Sequence, residues 1–216
     1  MSILTKRQIL EKINSGEMKF KPNLDSFQLQ VHAVDLRLGY TFLLPKKAQI
    51  TKKGREALNI NFFDRSNPSF FDVIELEQGQ CFDLLPGEYV ACNTLEAISL
   101  PLDVMAVLYP RSSTNRKGLS LDMTGIVDSG YEGQLMIPIR NNTPSQVIKL
   151  YPGERFCQLV FQKLDEPAEK QESRYHNKDI IEGFIARKTA KDTTEASLIS
   201  KGEIKKLKDK FGIGKK

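Results

Sequence analysis

Val34, Leu36 and Leu38 alternate with Asp35 and Arg37, the period of two that a half-buried strand imposes on its side chains. The alternation predicts a strand ending at Gly39. Ahead of it, Ile9, Leu10 and Ile13 recur at helical spacing, Thr5 and Gln8 stand at the spacing of a capping box, and Gly16 follows. A short helix is expected over residues 5–15. Residues 17–30 read as extended, with Pro22 limiting any helix. Residues 46–72 are polar and mixed, and Asn67-Pro68 marks a turn, so an irregular insertion or a hairpin is expected there.

From residue 73 to 163 the chain is a series of short apolar runs cut by turn signals. Runs at 73–76 and 82–85 end at Gly79 and at Pro86-Gly87. Runs at 89–92, 96–100, 104–109, 119–123, 134–139, 146–150 and 156–161 follow. Strands this short, roughly ten residues apart, indicate a mainly β fold, a sandwich or a barrel. No βαβ alternation is visible, which argues against a Rossmann fold. Past residue 163 polar and charged residues dominate to about 197, and then Ile204, Leu207 and Phe211 recur at helical spacing among lysines. Three apolar residues make a narrow face. The stretch therefore reads as a solvated extension in preference to a partner-binding or membrane-surface helix. The expected organisation is a β domain over residues 1–163 and a lid-like, basic extension over 164–216.

Composition sharpens this picture. Hydrophobic residues make up 40% of the 216, enough for a core. No apolar run approaches the ~18 residues of a membrane span. The opening MSILTKRQIL has neither an apolar h-region nor a cleavage site, so a cytoplasmic protein away from membranes is expected. Cys81, Cys92 and Cys157 are odd in number and widely spaced, without CxxC. That argues against a zinc knuckle or a redox pair and fits a reducing compartment. The net charge of +5 belongs to residues 201–216, where seven lysines face Glu203 and Asp209. The remainder is neutral overall, which argues against nucleic acid as a partner.

Candidate chemistry concentrates in residues 108–135, LYPRSSTNRKGLSLDMTGIVDSGYEGQL. Arg111 and Arg116 flank the hydroxyls of Ser112, Ser113 and Thr114. Guanidinium forks and hydroxyls in a loop suit a polyphosphate. Asp128, in the turn that follows, suits a base that activates water. Either feature alone also fits a solvated loop, but both together, followed by GERFCQ at 153–158, favour a site. There is no GxxxxGK[ST] and no GxGxxG after a strand. His32 and His176 are far apart without HExxH spacing, which argues against zinc or a His-activated nucleophile. The HxE and PCxxC pattern of zinc deaminases is also missing, so any deamination would proceed without zinc.

YPRSSTNRKGL, GIVDSGYEGQLMIPIRN and LYPGERFCQLVF resemble, in sequence, order and spacing, three motifs of the dUTPase and dCTP deaminase superfamily. The run from ILTKRQILEKI to VDLRLG, and LLPGEYVACNTLE, resemble the deaminase branch in particular. The resemblance covers roughly residues 3–163. It implies a dUTPase-like β-barrel subunit, a homotrimer with interfacial active sites, a deoxynucleoside triphosphate substrate, and Mg²⁺ on the triphosphate. On the matching positions, Arg111, Ser112, Ser113 and Arg116 would bind phosphate, and Gln158 would meet a phosphate. Tyr131 would lie under the deoxyribose and leave no room for a 2′-hydroxyl. Residues 119–124, ending at Thr124, would read the base through their backbone. Asp128 would orient and deprotonate the attacking water, and Asp35 would reach the metal through water. Tyr175 and Lys178 match the tail of a deaminase lid.

Two departures stand out. Deaminases of this branch carry a catalytic glutamate ten residues after the motif aspartate, and here that position is Pro138. Proline has no ionisable group and no backbone N–H. The nearest carboxylate in sequence is Glu132. The glycine-rich C-terminal arm that closes trimeric dUTPases is also absent from the sequence. The intact Asp128 and the altered position 138 make a dUTP diphosphatase, giving dUMP and pyrophosphate, the expected activity. The alternatives are a dCTP deaminase whose proton shuttle comes from another residue, and a trimeric nucleotide-binding protein without turnover.

Overall fold

Thr5 begins the first helix with reciprocal bonds. Gln8 N donates to the Thr5 hydroxyl at 3.5 Å, and Thr5 N donates to Gln8 Oε1 at 2.9 Å. Helix α1, Lys6–Asn14, follows and buries Ile9. The computed structural model describes residues 2–58, 70–122, 125–169 and 190–213. Within these the strands are β1 (Ser2–Ile3), β2 (Lys19–Lys21), β3 (Val34–Pro45), β4 (Ala48–Thr51), β5 (Gly54–Ala57), β6 (Phe71–Glu75) and β7 (Phe82–Leu84). They continue with β8 (Tyr89–Ser99), β9 (Val104–Pro110), β10 (Leu119–Leu121), β11 (Ile126–Val127), β12 (Glu132–Asn141), β13 (Ile148–Leu150) and β14 (Arg155–Lys163). A single turn of helix, α2 (Ser112–Asn115), separates β9 from β10.

The main sheet curls in the order β10-β12-β8-β3-β14-β9-β11, with β1 on β14, β2 on β8 and β6 on β3. Its ladders are antiparallel. Strand β3 joins the two halves. Its first residues pair with β14 through Leu36↔Cys157, and its last pair with β8 through Leu43↔Ala91 and with β6 through Thr41↔Glu75. Inward side chains fill the interior, where Phe42 stacks on Phe82 at 4.7 Å and Phe20 meets Phe161 edge-on at 6.4 Å. Strands β4 and β5 form the hairpin anticipated in the 46–72 insertion.

Two boundaries differ from the sequence expectation. Strand β3 does not end at Gly39 but runs through it to Pro45. A Cβ on Gly39 would overlap the side-chain amide of Asn93, so this glycine permits close approach of neighbouring strands and does not stop one. The runs at 89–92 and 96–100 are one strand, β8. The polar residues between them are satisfied within the sheet: Asn93 Oδ1 accepts from Thr41 N at 2.9 Å, and Thr94 Oγ1 accepts from Leu135 N at 3.0 Å.

Ile204 and Leu207 lie on α4 (Ile204–Lys210), which packs against α3 (Ala190–Ser200), and Phe211 follows at its C-terminal end. Gly202, at φ +71°, makes the turn between them. Its N donates to Ile199 O at 2.9 Å and Glu203 N donates to Leu198 O at 2.9 Å, the paired bonds of a Schellman cap. No helix among the described residues is long and apolar enough to cross a membrane. Cys92 and Cys157 are buried free thiols that burial pushes up, so they stay protonated and inert.

Candidate active site

Strand β9 ends at Pro110, and Arg111 stays extended (φ −76°, ψ 135°) before α2 begins. This places its side chain over the neighbouring strands. Arg111 Nη1 donates to Arg155 O at 2.9 Å, and Nε lies 3.0 Å from Asp35 Oδ2. Arg155 Nη1 at 3.2 Å and Gln30 Nε2 at 3.3 Å converge on the same carboxylate oxygen. Gln158 stands in register with Asp35 on one side and Tyr109 on the other. Directly paired residues share a face, so Asp35, Gln158 and Tyr109 form a row across three strands, with Arg111 just beyond it.

Asp35 is 2% exposed. Burial pushes its carboxyl up, and the positive Arg111 and Arg155 oppose that shift without cancelling it. A further buried layer holds the row from behind. Gln28 Nε2 donates to Asp35 O at 3.0 Å and to Glu96 Oε1 at 2.7 Å. Glu96 Oε2 accepts from Arg37 N at 2.9 Å, and Arg37 Nη2 reaches Asp25 Oδ2 at 2.7 Å. Burial pushes the Glu96 carboxyl up as well, against the bonds from Arg37 N–H and Gln28. Every buried side-chain nitrogen and oxygen among the described residues has a partner.

Ser112 and Ser113 are exposed on α2. Arg116 turns back over the same helix, with Nη2 3.1 Å from Ser112 Oγ and Nε 3.3 Å from Ser112 O. The pinned Arg111 and the exposed Arg116 with its hydroxyls thus make one cationic corner. A polyanion would meet a preset guanidinium there and a second that can swing to it.

Asp128 lies elsewhere. Strand β11 pairs with β9 through Val127↔Ala106, which sets exposed Asp128 level with Met105. Arg111 is farther along β9 by about 20 Å at ~3.3 Å per residue. Tyr131 follows in the same turn as Asp128, half-buried, with its hydroxyl donating to Gln134 O at 2.7 Å. A single copy of the chain therefore brings Arg111, Arg116, Asp35 and Gln158 together and keeps Asp128 and Tyr131 at the other end of β9.

Pro138 sits within β12, paired with Ala91 of β8. On its other side β10 stops at Leu121, opposite Ile139, and Asp122 N donates to Pro138 O at 2.9 Å. Asp122 Oδ1 accepts from Ser120 Oγ at 2.7 Å, and Arg140 Nε donates to Oδ2 at 3.1 Å. Glu132, the nearest carboxylate in sequence, is at the far end of β12, about 20 Å away at ~3.3 Å per residue.

Thr124, Tyr175 and Lys178 lie outside the described residues. Sequence reasoning did not single out Arg155, Gln28, Arg37 or Glu96, and it placed Asp122 in the 119–124 segment without marking its carboxylate. Arg155 lay within GERFCQ, and the polar residues inside apolar strand runs were the available signal for Arg37 and Glu96. No group of three His, Cys, Asp or Glu side chains able to hold an ion occurs among the described residues. Asp35 is committed to guanidinium groups, so these donors form no protein cage for a cation. Mg²⁺ fits here only as an ion carried by phosphate oxygens and water.

A family model described as dCTP deaminase-like matches residues 3–164. A Dictyoglomus thermophilum protein named dCTP deaminase, dUMP-forming, is 37% identical over 182 residues, which are 81% of this chain and 90% of that one. An Aquifex aeolicus protein of the same name is 38% identical over 170 residues, 78% of this chain and 85% of that one. Among solved structures, the 2′-deoxycytidine 5′-triphosphate deaminase from Agrobacterium tumefaciens aligns with a TM-score of 0.57 at 25% identity. The alignment covers 74% of this chain and 48% of that one, so the chain spans about half the length of that protein.

These relatives correct the expected activity. They are named for deaminating dCTP and forming dUMP, not for hydrolysing dUTP alone. The dUTP diphosphatase reading rested on Pro138, one strand position that lacks an ionisable group. Across the ladder from that proline stands a carboxylate, Asp122.

Proposed function

Since this chain belongs to the dCTP deaminase-like family, we propose that it converts dCTP to dUMP, releasing ammonia and pyrophosphate. The observation that carries the reading is similarity to dUMP-forming deaminases across 81% of the chain. The cationic corner supports it independently. Arg111 is held by Asp35 before any ligand arrives, so little ordering is left for binding. Arg111, Arg116, Ser112, Ser113 and Gln158 bind the triphosphate. Tyr131 packs beneath the sugar, where a 2′-hydroxyl would meet its ring.

The reaction consumes two waters. One attacks C4 of cytosine, and the 4-amino group leaves as ammonia. The other attacks the α-phosphorus, and pyrophosphate leaves. Asp128 takes the proton of the second water, a contribution worth ~10²–10⁴-fold. Charge developing on the phosphoryl oxygens falls on Arg111 and Arg116. Mg²⁺ bound to the triphosphate would add charge neutralisation at the same oxygens.

The separation of Asp128 from Arg111 supports a site shared between copies, and we assign the active species as a homotrimer. Light scattering of the active enzyme should give three times the chain mass of 24.5 kDa. A fully active species of one chain mass would refute the shared site. The activity itself is tested by incubating the protein with dCTP and Mg²⁺ and measuring ammonia and dUMP together. Equal amounts of both are expected. A protein that releases no ammonia from dCTP would overturn the reading.

A further inference from the structure

Hydrolytic deamination needs a group that carries protons between water and the pyrimidine, and Pro138 cannot serve. We propose that Asp122 is that catalytic residue, placed just past the end of β10 and across the ladder from Pro138. The proposal rests on the deaminase reading above and deepens it.

The register makes the argument. Ser120 pairs with Arg140 and Leu121 with Ile139, and Asp122 N donates to Pro138 O at 2.9 Å, so Asp122 stands across from Pro138. Cross-strand partners project from the same face with Cβ atoms ~4.5–5.5 Å apart. Two side-chain contacts confirm the face. Arg140, two residues beyond Pro138, donates to Asp122 Oδ2 at 3.1 Å, and Ser120, two residues before Asp122, donates to Oδ1 at 2.7 Å. A carboxylate on Asp122 therefore reaches the space that a longer acid at position 138 would occupy.

The other described carboxylates nearby are committed or distant. Glu96 is buried behind the phosphate corner on Gln28 and Arg37. Glu88 Oε2 accepts from Leu85 N at 2.9 Å in its own turn. Glu132 is at the far end of β12. Asp122 has both oxygens engaged too, by Ser120 and Arg140, but it stands across from Pro138 and keeps 32% of its side chain exposed. Arg140 is itself steadied over the Tyr89 ring at 5.5 Å. An acid that is oriented yet open to water is what a proton carrier requires.

The step balances. As the water oxygen bonds C4, one water proton passes through the Asp122 carboxylate to N3. As the C4–N4 bond breaks, the remaining hydroxyl proton passes by the same route to N4, which leaves as ammonia, and the C4 carbonyl forms. No oxidant, reductant or further co-reactant is consumed.

The test uses the full chain with Mg²⁺. Ammonia is followed from dCTP, and the hydrolytic half-reaction is followed separately with dUTP supplied directly. Asp122→Asn should lower ammonia release by ~10²-fold or more, a far larger loss than any it causes in dUTP hydrolysis. Pro138→Glu added to Asp122→Asn should recover part of the ammonia release. Wild-type ammonia release by Asp122→Asn overturns the proposal and leaves the deaminase reading intact. No ammonia from the unmodified protein overturns that reading and this proposal with it. If Asp122→Asn loses both activities, Asp122→Glu decides. The acidic limb of its pH profile for ammonia release should move while that for dUTP hydrolysis stays, and an unmoved ammonia limb overturns the proposal.

Discussion

Replacing Asp35 with Asn should separate the anchoring of Arg111 from the stability of the fold. The Asp35 carboxylate receives Arg111 at 3.0 Å, Arg155 at 3.2 Å and Gln30 at 3.3 Å. Each bond to a charged group is worth ~1.5–3 kcal/mol, but burying the charge costs several kcal/mol. The raised pKa says that burial outweighs the two cations. Both guanidinium groups are about a quarter exposed, at 25% and 27%, so they turn to water once the charge is gone. Asn should therefore change the unfolding free energy by less than ~1.5 kcal/mol at neutral pH. The pH dependence has a definite sign. A carboxyl whose folded pKa is raised adds stability below its unfolded value of ~3.9, and that stability is lost as pH rises through the folded value. Wild type should thus gain on Asp35→Asn in acid, and the gap should close toward neutrality. Activity should respond differently. An unanchored Arg111 must be ordered on binding at ~0.5–1.5 kcal/mol, which raises KM for dCTP by about 2–10-fold with kcat less affected. Urea unfolding at fixed protein concentration, measured across the pH range beside steady-state kinetics, gives both numbers. A stability loss above ~3 kcal/mol with unchanged KM would refute the anchoring argument.

Three further outcomes are expected. Asp128→Asn should reduce dUMP formation by ~10²–10⁴-fold while calorimetry still shows nucleotide binding, and undiminished turnover would remove Asp128 from the mechanism. Glu96→Gln must turn an amide N–H₂ toward either Arg37 N or Gln28 Nε2. It should cost ~1–3 kcal/mol in denaturant unfolding, and it should also abolish the loss of stability that wild type shows as pH rises through the raised Glu96 pKa. Gly39→Ala should destabilise by ~1–3 kcal/mol, because the new methyl overlaps the Asn93 amide that bonds Thr41 N; an unchanged melting temperature would show that this strand crossing is looser than described.

The amino-acid sequence by itself determined the local features of this protein. Thr5 and Gln8 announced α1, the apolar runs between Gly and Pro announced the strands, and 111-RSSTNR-116 announced the cationic corner. Each signal lies within a few residues, because capping, periodicity and turn formation act over that range. Only the tertiary structure decided that Gly39 lies inside a strand and that Asn93 and Thr94 continue one. It alone joined Asp35 to Arg111 and Arg155, set Asp128 a strand's length from Arg111, and laid Asp122 against Pro138. These contacts depend on strand register. Register is fixed by burial of whole faces and by partners far away in the chain, so no short stretch of sequence contains it.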